Sequence, residues 1–173
     1  MTSPAPGIAE YILPNVRRVL APNPGPMTHW GTNSYILGTG QVAIVDPGPD
    51  HPVHLAALLE ATKGETVTHI LVTHAHADHS PLARVLGDET GAPIYGFGPP
   101  TAGRSATMDH LADMGLAGGG EGVDPNFAPD QTLRDGDVVN GDGWKISTLH
   151  TPGHFAGHLA FQWDDLVFSR SSH

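Results

Sequence analysis

The chain alternates short apolar runs with amphipathic stretches, each bounded by glycine or proline. Residues 33–38 (NSYILG) and 41–46 (QVAIVD) flank a glycine-containing turn and are rich in aliphatic and β-branched residues, so they are read as paired strands. The second run ends in Asp46-Pro47-Gly48, a turn signature. Residues 51–63 (HPVHLAALLEATK) place Leu55, Leu58 and Leu59 at spacings of three and four, with Glu60 and Lys63 off that stripe, which predicts an amphipathic helix. Residues 67–72 (VTHILV) form the next strand. A helix follows over 81–90, with Pro81 in its first turn, where the missing N–H costs nothing. A strand at 92–95 completes the order strand, helix, strand, helix, strand, the pattern of an α/β layered fold with crossover connections.

The second half is less regular. Between residues 96 and 129 glycine and proline are dense (GFGPPTAGRS, GLAGGGEGVDP), with one helix candidate at 105–115. A loop of that length inside a compact domain is expected to be a mobile flap beside a site. Strands are expected at 131–139, 145–149 and 159–163, with turns at Asp135-Gly136-Asp137 and Gly141-Asp142-Gly143. No repeat occurs at a fixed period. A length of 173 residues with 39% hydrophobic content suits one domain, residues 1–169, with a core of its own.

Charge narrows the function classes. Eight Lys and Arg stand against 18 Asp and Glu, and the net charge of −10 argues against a broad electrostatic grip on nucleic acid. Arg17-Arg18 is read as a solvated pair. The N-terminus lacks an apolar stretch behind a basic start, so no secretory signal is expected. No run reaches the roughly eighteen apolar residues of a membrane helix. The expected compartment is the cytoplasm. With no cysteine, disulfides and thiolate ligands are excluded, and any metal must rest on imidazole and carboxylate.

Twelve histidines supply that chemistry, and their clustering gives it a place. Thr73-His74-Ala75-His76-Ala77-Asp78-His79-Ser80 directly follows an apolar strand. In an extended segment alternate residues point the same way, so His74, His76 and Asp78 can converge, while His79 faces a neighbouring position. One loop could address two metal ions. Four ligand-type residues within six positions at a strand edge are costly to bury without a partner. His51, His54, His69 and His110 are read as surface or helix-face residues.

HAHADH resembles the HxHxDH signature of the metallo-β-lactamase superfamily, and Thr151-Pro152-Gly153-His154 resembles its downstream TPGH element. The resemblance continues through Asn23-Pro24-Gly25-Pro26-Met27, Gly31-Thr32-Asn33-Ser34-Tyr35, Val45-Asp46-Pro47-Gly48 and Leu133-Arg134-Asp135-Gly136-Asp137. The first two of these are similar to the branch of β-lactamase-like endoribonucleases and their bacterial relatives. The resemblance implies an αββα sandwich with metal at the edge where two sheets meet. It implies that His74, His76 and His154 hold a first zinc, that Asp78 and His79 serve a second, and that Asp46 orients a ligand imidazole from behind. His158, His29 and Trp30 are candidates for the substrate side.

The family's later aspartate and last histidine have no counterpart here. Leu166-Val167-Phe168-Ser169 matches the approach to that aspartate, but Arg170-Ser171-Ser172-His173 follows. The expectation is a sandwich incomplete at its C-terminal end, with residues 170–173 a non-native tail. One zinc is then expected, the second site being incomplete, and an exposed sheet edge is expected to invite a homodimer or domain swap.

A zinc held by three imidazoles lowers the pKa of bound water from about 15.7 to about 7, making hydroxide available at neutral pH. The expected activity is hydrolysis of a carbonyl substrate such as a thioester, lactone or β-lactam, with Asp78 orienting the water or accepting its proton. The alternatives are an RNA phosphodiesterase and a zinc-binding domain without turnover. No Gly-x-Ser-x-Gly nucleophile motif competes with this chemistry.

Overall fold

Two hairpins open the chain in the computed structural model, which describes residues 4–115 and 122–169. The first, β1 (Ala9–Leu13) and β2 (Val16–Leu20), turns at Pro14-Asn15 and was not expected from the pattern. The second, β3 (Asn33–Thr39) and β4 (Gln41–Val45), is the expected pair. Arg17 corrects the expectation of a solvated pair. It is 6% exposed, its Nη2 lies 2.6 Å from the Glu65 carboxylate, and its Nη1 donates to the Ala61 carbonyl, tying β2 to the end of the first helix.

From β4 the chain winds as the element order predicts. Helix α1 (Pro52–Ala61) leads to β5 (Thr66–Leu71), and α2 (Leu82–Thr90) leads to β6 (Ile94–Gly96), with β4, β5 and β6 parallel. Pro81 precedes α2 already in helical geometry, and Gly91 ends it in the left-handed region at φ 76°, donating to the Gly87 carbonyl. The segment 131–139, expected as one strand, is divided. β7 (Gln131–Thr132) closes the first sheet and β8 (Val138–Asn140) opens the second. The Asp135-Gly136-Asp137 turn causes the switch: Arg134 N–H donates to the Asp137 carboxylate and Asp137 N–H returns to the Arg134 carbonyl. β9 (Lys145–His150), β10 (Leu159–Trp163) and β11 (Leu166–Phe168) complete the order β11-β10-β9-β8, all antiparallel.

Period-two alternation distributes the core between two layers. Ile36, Val42, Ile44 and Ile70 face the helices and meet Leu58 of α1 and Leu82 and Leu86 of α2. Leu37, Ala43, Val45 and Leu71 face the second sheet and meet Ile146, Leu159, Phe161 and Trp144. Helices on one face, a seven-stranded sheet and a four-stranded sheet make three of the four layers of an αββα sandwich among the described residues. In the long glycine-rich loop α3 (Ala106–Asp113) forms where a helix was expected, capped by the Ser105 side chain, and buries no residue. Residues 116–121 of that loop, and the tail 170–173, lie outside the described residues. Among the described residues no helix is long and apolar enough to cross a membrane.

Candidate metal centre

The parallel strands β4 and β5 end side by side, and the β9–β10 connection arrives at the same edge from the second sheet. Leu159 N–H donates to the Thr73 carbonyl at 2.8 Å, so the loop bearing His154 is fastened to the strand end bearing His74. The 73–80 segment does not stay extended. His79 and Ser80 N–H groups both turn back to the His76 carbonyl, at 2.9 and 3.0 Å. That turn corrects one expectation: His74 and His76 converge, but with His154 rather than with Asp78.

In the group formed by His74, His76 and His154, one ring nitrogen from each lies within 4.8 Å of the others. His74 Nε2 is 3.1 Å and His154 Nε2 3.0 Å from His76 Nδ1. The tautomer of His74 follows from its neighbours. The Asp46 carboxylate can only accept, so the Thr73 hydroxyl donates to it at 2.8 Å and must accept from His74 Nδ1–H at 2.9 Å. The lone pair of His74 Nε2 therefore faces His76 and His154. Burial, and then the charges of His79, His158, His76 and His154, push the His74 pKa well below the ordinary imidazole range. Three imidazoles converging in this way are a donor set that fits a divalent ion such as zinc.

Asp78 and His79 form a second, adjacent set. His79 Nε2 lies 3.2 Å from Asp78 Oδ2, and His79 Nδ1 lies 2.8 Å from Asp46 Oδ2. Burial alone would lower the His79 pKa, but the Asp46 carboxylate, followed by Asp78, raises it to about 10. Burial would raise Asp78, but its hydrogen bond to His79 and the His79 charge bring it below the ordinary carboxylate value. The proton between His79 Nε2 and Asp78 Oδ2 thus stands where these two groups would share a cation. Asp46 touches both sets, with Oδ2 at His79 Nδ1 and the Thr73 hydroxyl and Oδ1 accepting from Thr73 N–H at 2.8 Å. It does so from a positive φ of 49°, a backbone position rare outside glycine and asparagine-like residues.

His158 is buried beside this centre, its ring 5.0 Å from that of His74 and its Nδ1 2.8 Å from the Thr151 hydroxyl. His29 and Trp30 lie on the 23–32 loop and, with Asp78 and His79, line a cleft of about 400 Å³. Asp78 and His79 line the cleft but His74, His76 and His154 do not; the His79 ring lies 4.4 Å from that of His74, and His154 is itself exposed.

Sequence reasoning missed three supports. His54, read as a helix-face residue, is wholly buried, and its Nε2 lies 2.8 Å from the Ser34 hydroxyl, which itself donates to the Asp46 carbonyl. Asp124 accepts from Ser80 Oγ at 2.8 Å and its N–H donates to the Ala75 carbonyl, bracing the histidine loop from the long glycine-rich segment. His150 donates from Nε2 to the Ala156 carbonyl across the loop that carries His154. None had a local signal, because each partner is distant in sequence or is a backbone atom.

The chain belongs to the metallo-beta-lactamase superfamily, whose family model matches residues 27–169. Among curated relatives, the atrochrysone carboxyl ACP thioesterase of Claviceps purpurea is 30% identical over 155 residues, covering 88% of this chain and 42% of the relative. The lactamase-like protein vrtG of Penicillium aethiopicum is 33% identical over 161 residues, covering 91% and 45%. The chain thus spans less than half the length of these two proteins. A solved beta-lactamase domain protein from Burkholderia ambifaria matches at a TM-score of 0.68 and 27% identity, covering 97% of this chain and 55% of that one.

Proposed function

We propose that the protein is a zinc-dependent hydrolase of carbonyl substrates, with a thioester the first choice among thioesters, lactones and β-lactams. The observation that carries this reading is the convergence of His74, His76 and His154, with the His74 lone pair fixed inward by Thr73. The thioesterase name of the Claviceps relative favours the substrate. The net charge of −10 weighs against RNA as an alternative.

His74, His76 and His154 would hold the first ion, and Asp78 with His79 would contribute to a second. An ion in the first site supplies Lewis acidity and makes water acidic enough to ionise near neutral pH. The rest of the work falls to side chains of this chain. Asp46 fixes the His79 ring through Nδ1, leaving Nε2 directed at Asp78. Asp78, held ionised by that contact, is placed to orient a water and accept its proton as the carbonyl is attacked. The carbonyl compound would be bound in the cleft that Asp78 and His79 line.

The test is turnover of an acyl thioester by zinc-loaded protein, with and without a chelator, beside elemental analysis of the same samples. Chelator-sensitive hydrolysis that falls at least about a hundredfold in His154→Ala supports the reading. Bound zinc with no turnover of thioester, lactone or β-lactam would overturn it and leave a metal-binding domain. Cleavage of RNA that weakens steeply with salt would replace the substrate class.

A further inference from the structure

Asp46 aims the His79 ring, and the groups that hold Asp46 lie deeper in the fold. Its φ of 49° is a conformation that persists only where the surroundings over-determine it. On one side Asp46 N–H donates to the Leu71 carbonyl at 2.8 Å, continuing the β4–β5 pairing. On the other side the Asp46 carbonyl accepts from the Ser34 hydroxyl at 2.6 Å, and that hydroxyl itself accepts from His54 Nε2–H at 2.8 Å. A hydroxyl carries one proton, which can rotate among acceptors; a donor seated on its lone pair leaves that proton one direction, toward Asp46. Ser34 and His54 are both wholly buried, so bulk water does not compete for either bond.

The same imidazole supports the chain two residues further on. Gly48 has a φ of 92°, and a Cβ there would lie 3.1 Å from both Cδ2 and Nε2 of His54, so the bare glycine backbone rests on the ring. Gly48 N–H donates to the His79 carbonyl at 3.0 Å, and the Gly48 carbonyl accepts from Leu82 N–H at 3.2 Å. The 46–48 segment thus grips His79 twice, by its ring through Asp46 and by its backbone through Gly48. His54 stands under both ends of that segment. A leucine at this position would bury as well and leave no polar atom unpaired, whereas the buried His54 Nδ1 has no hydrogen-bond partner, at a cost in stability. What the imidazole adds over leucine is the donor to Ser34.

We propose that His54 is a positioning residue for His79: through Ser34 and Gly48 it fixes the 46–48 segment, and that segment aims His79 Nε2 at the Asp78 carboxylate. This role deepens the hydrolase reading, and its effect on turnover rests on that reading. The orientation of the His79 ring rests on these contacts alone.

The experiment follows the His79 Nδ1–H proton by 1H–15N NMR on the full chain, zinc-loaded and again after chelation, assigning it by its loss in His79→Gln. That proton is buried on Asp46 Oδ2 at 2.8 Å, so its exchange with water reports how firmly the ring is held. Trp144 Nε1–H, which donates to the Gln41 carbonyl at 3.1 Å at the opposite end of β4, is the reference for overall stability. In Ser34→Ala and His54→Leu the His79 proton should exchange at least about tenfold faster, while Trp144 changes by less than about twofold. His54→Gln, which keeps a donor for Ser34, should recover most of the protection. In turnover of an acyl thioester, Ser34→Ala should lower kcat several-fold and leave KM little changed, because Asp78 and not the cleft has lost its support. Should the His54 variants fail to fold, Ser34→Ala, which removes one oxygen atom, decides alone. Unchanged His79 exchange, equal acceleration at His79 and Trp144, or no recovery in His54→Gln overturns the proposal. The expected exchange pattern without turnover of any thioester would sink the hydrolase reading and leave the positioning role standing.

Discussion

His54 is wholly buried in the first turn of α1, and its protonation would place a charge where only one ring nitrogen has a hydrogen-bond partner. The Ser34 hydroxyl donates its proton to the Asp46 carbonyl, so it accepts from His54 Nε2–H, and the buried Nδ1 has no hydrogen-bond partner. Burial, with a smaller contribution from His51, lowers the His54 pKa from 6.5 to about 4. Because the folded value lies below the unfolded one, the neutral ring favours the fold above pH 6.5, and this contribution is lost as pH falls toward about 4. The loss is on the order of 3 kcal/mol. Denaturant unfolding as a function of pH should therefore show a shallower acid slope in His54→Gln, which keeps a donor for Ser34 but does not titrate. Identical slopes in the two proteins would show that His54 is not held neutral. At this scale the sequence was legible where ligand residues are neighbours, as in HAHADH. It was silent on His54, whose partner lies twenty residues away in a different element.

At the scale of elements, the pattern marked β3, β4 and β5 as short apolar runs, buried on both faces, and α1 and α2 as helices with an apolar side. It missed the β1–β2 hairpin, in which Tyr11, Ile12 and Leu13 are all exposed and blur the alternation. It also merged β7 with β8, since a turn of two aspartates and a glycine can interrupt a strand or end one sheet and begin the next. The loops of the site are set by contacts no local pattern encodes. Gly31 adopts φ 134°, and a Cβ there would lie 2.1 Å from the Ala21 carbonyl oxygen. Gly31→Ala should cost about 2 kcal/mol or more in denaturant unfolding, because both the backbone angle and the space refuse the methyl group; a neutral substitution would mean that the loop relaxes freely. The loop bearing His154 has its own brace. His150 stacks on Phe97 at 4.6 Å, the Arg134 guanidinium packs on the same ring at 4.5 Å, and His150 holds the Ala156 carbonyl at 2.8 Å. His150→Ala should weaken zinc binding by about tenfold in chelator competition, through a looser His154. Unchanged affinity would show that the Leu159–Thr73 link suffices to hold that loop.

For the whole molecule, the two ligand sets differ in what must leave before a metal can enter. Burial and mutual repulsion keep a second proton off His74, whose Nε2 lone pair faces His76 and His154. Zinc entering there displaces no proton from His74, so the first ion should bind near neutral pH. His79 is different: the carboxylates of Asp46 and Asp78 hold its second proton up to a pKa of about 10. A second ion at Asp78 and His79 must expel that proton, and its affinity should rise as pH rises toward that value. Elemental analysis in zinc buffered by a chelator should give about one ion per chain near pH 6.5 and a ratio climbing toward about two near pH 9. Asp46→Asn removes one of the two carboxylates that hold the proton, so the second step should move to lower pH while also losing the hydrogen bond that orients His79. Two ions per chain already bound at pH 6.5 would show that the His79 proton is not held as the geometry requires. A ratio that stays at one up to pH 9 would show that Asp78 and His79 do not retain a second ion, and the proposed hydrolysis would then rest on the three imidazoles and Asp78 alone.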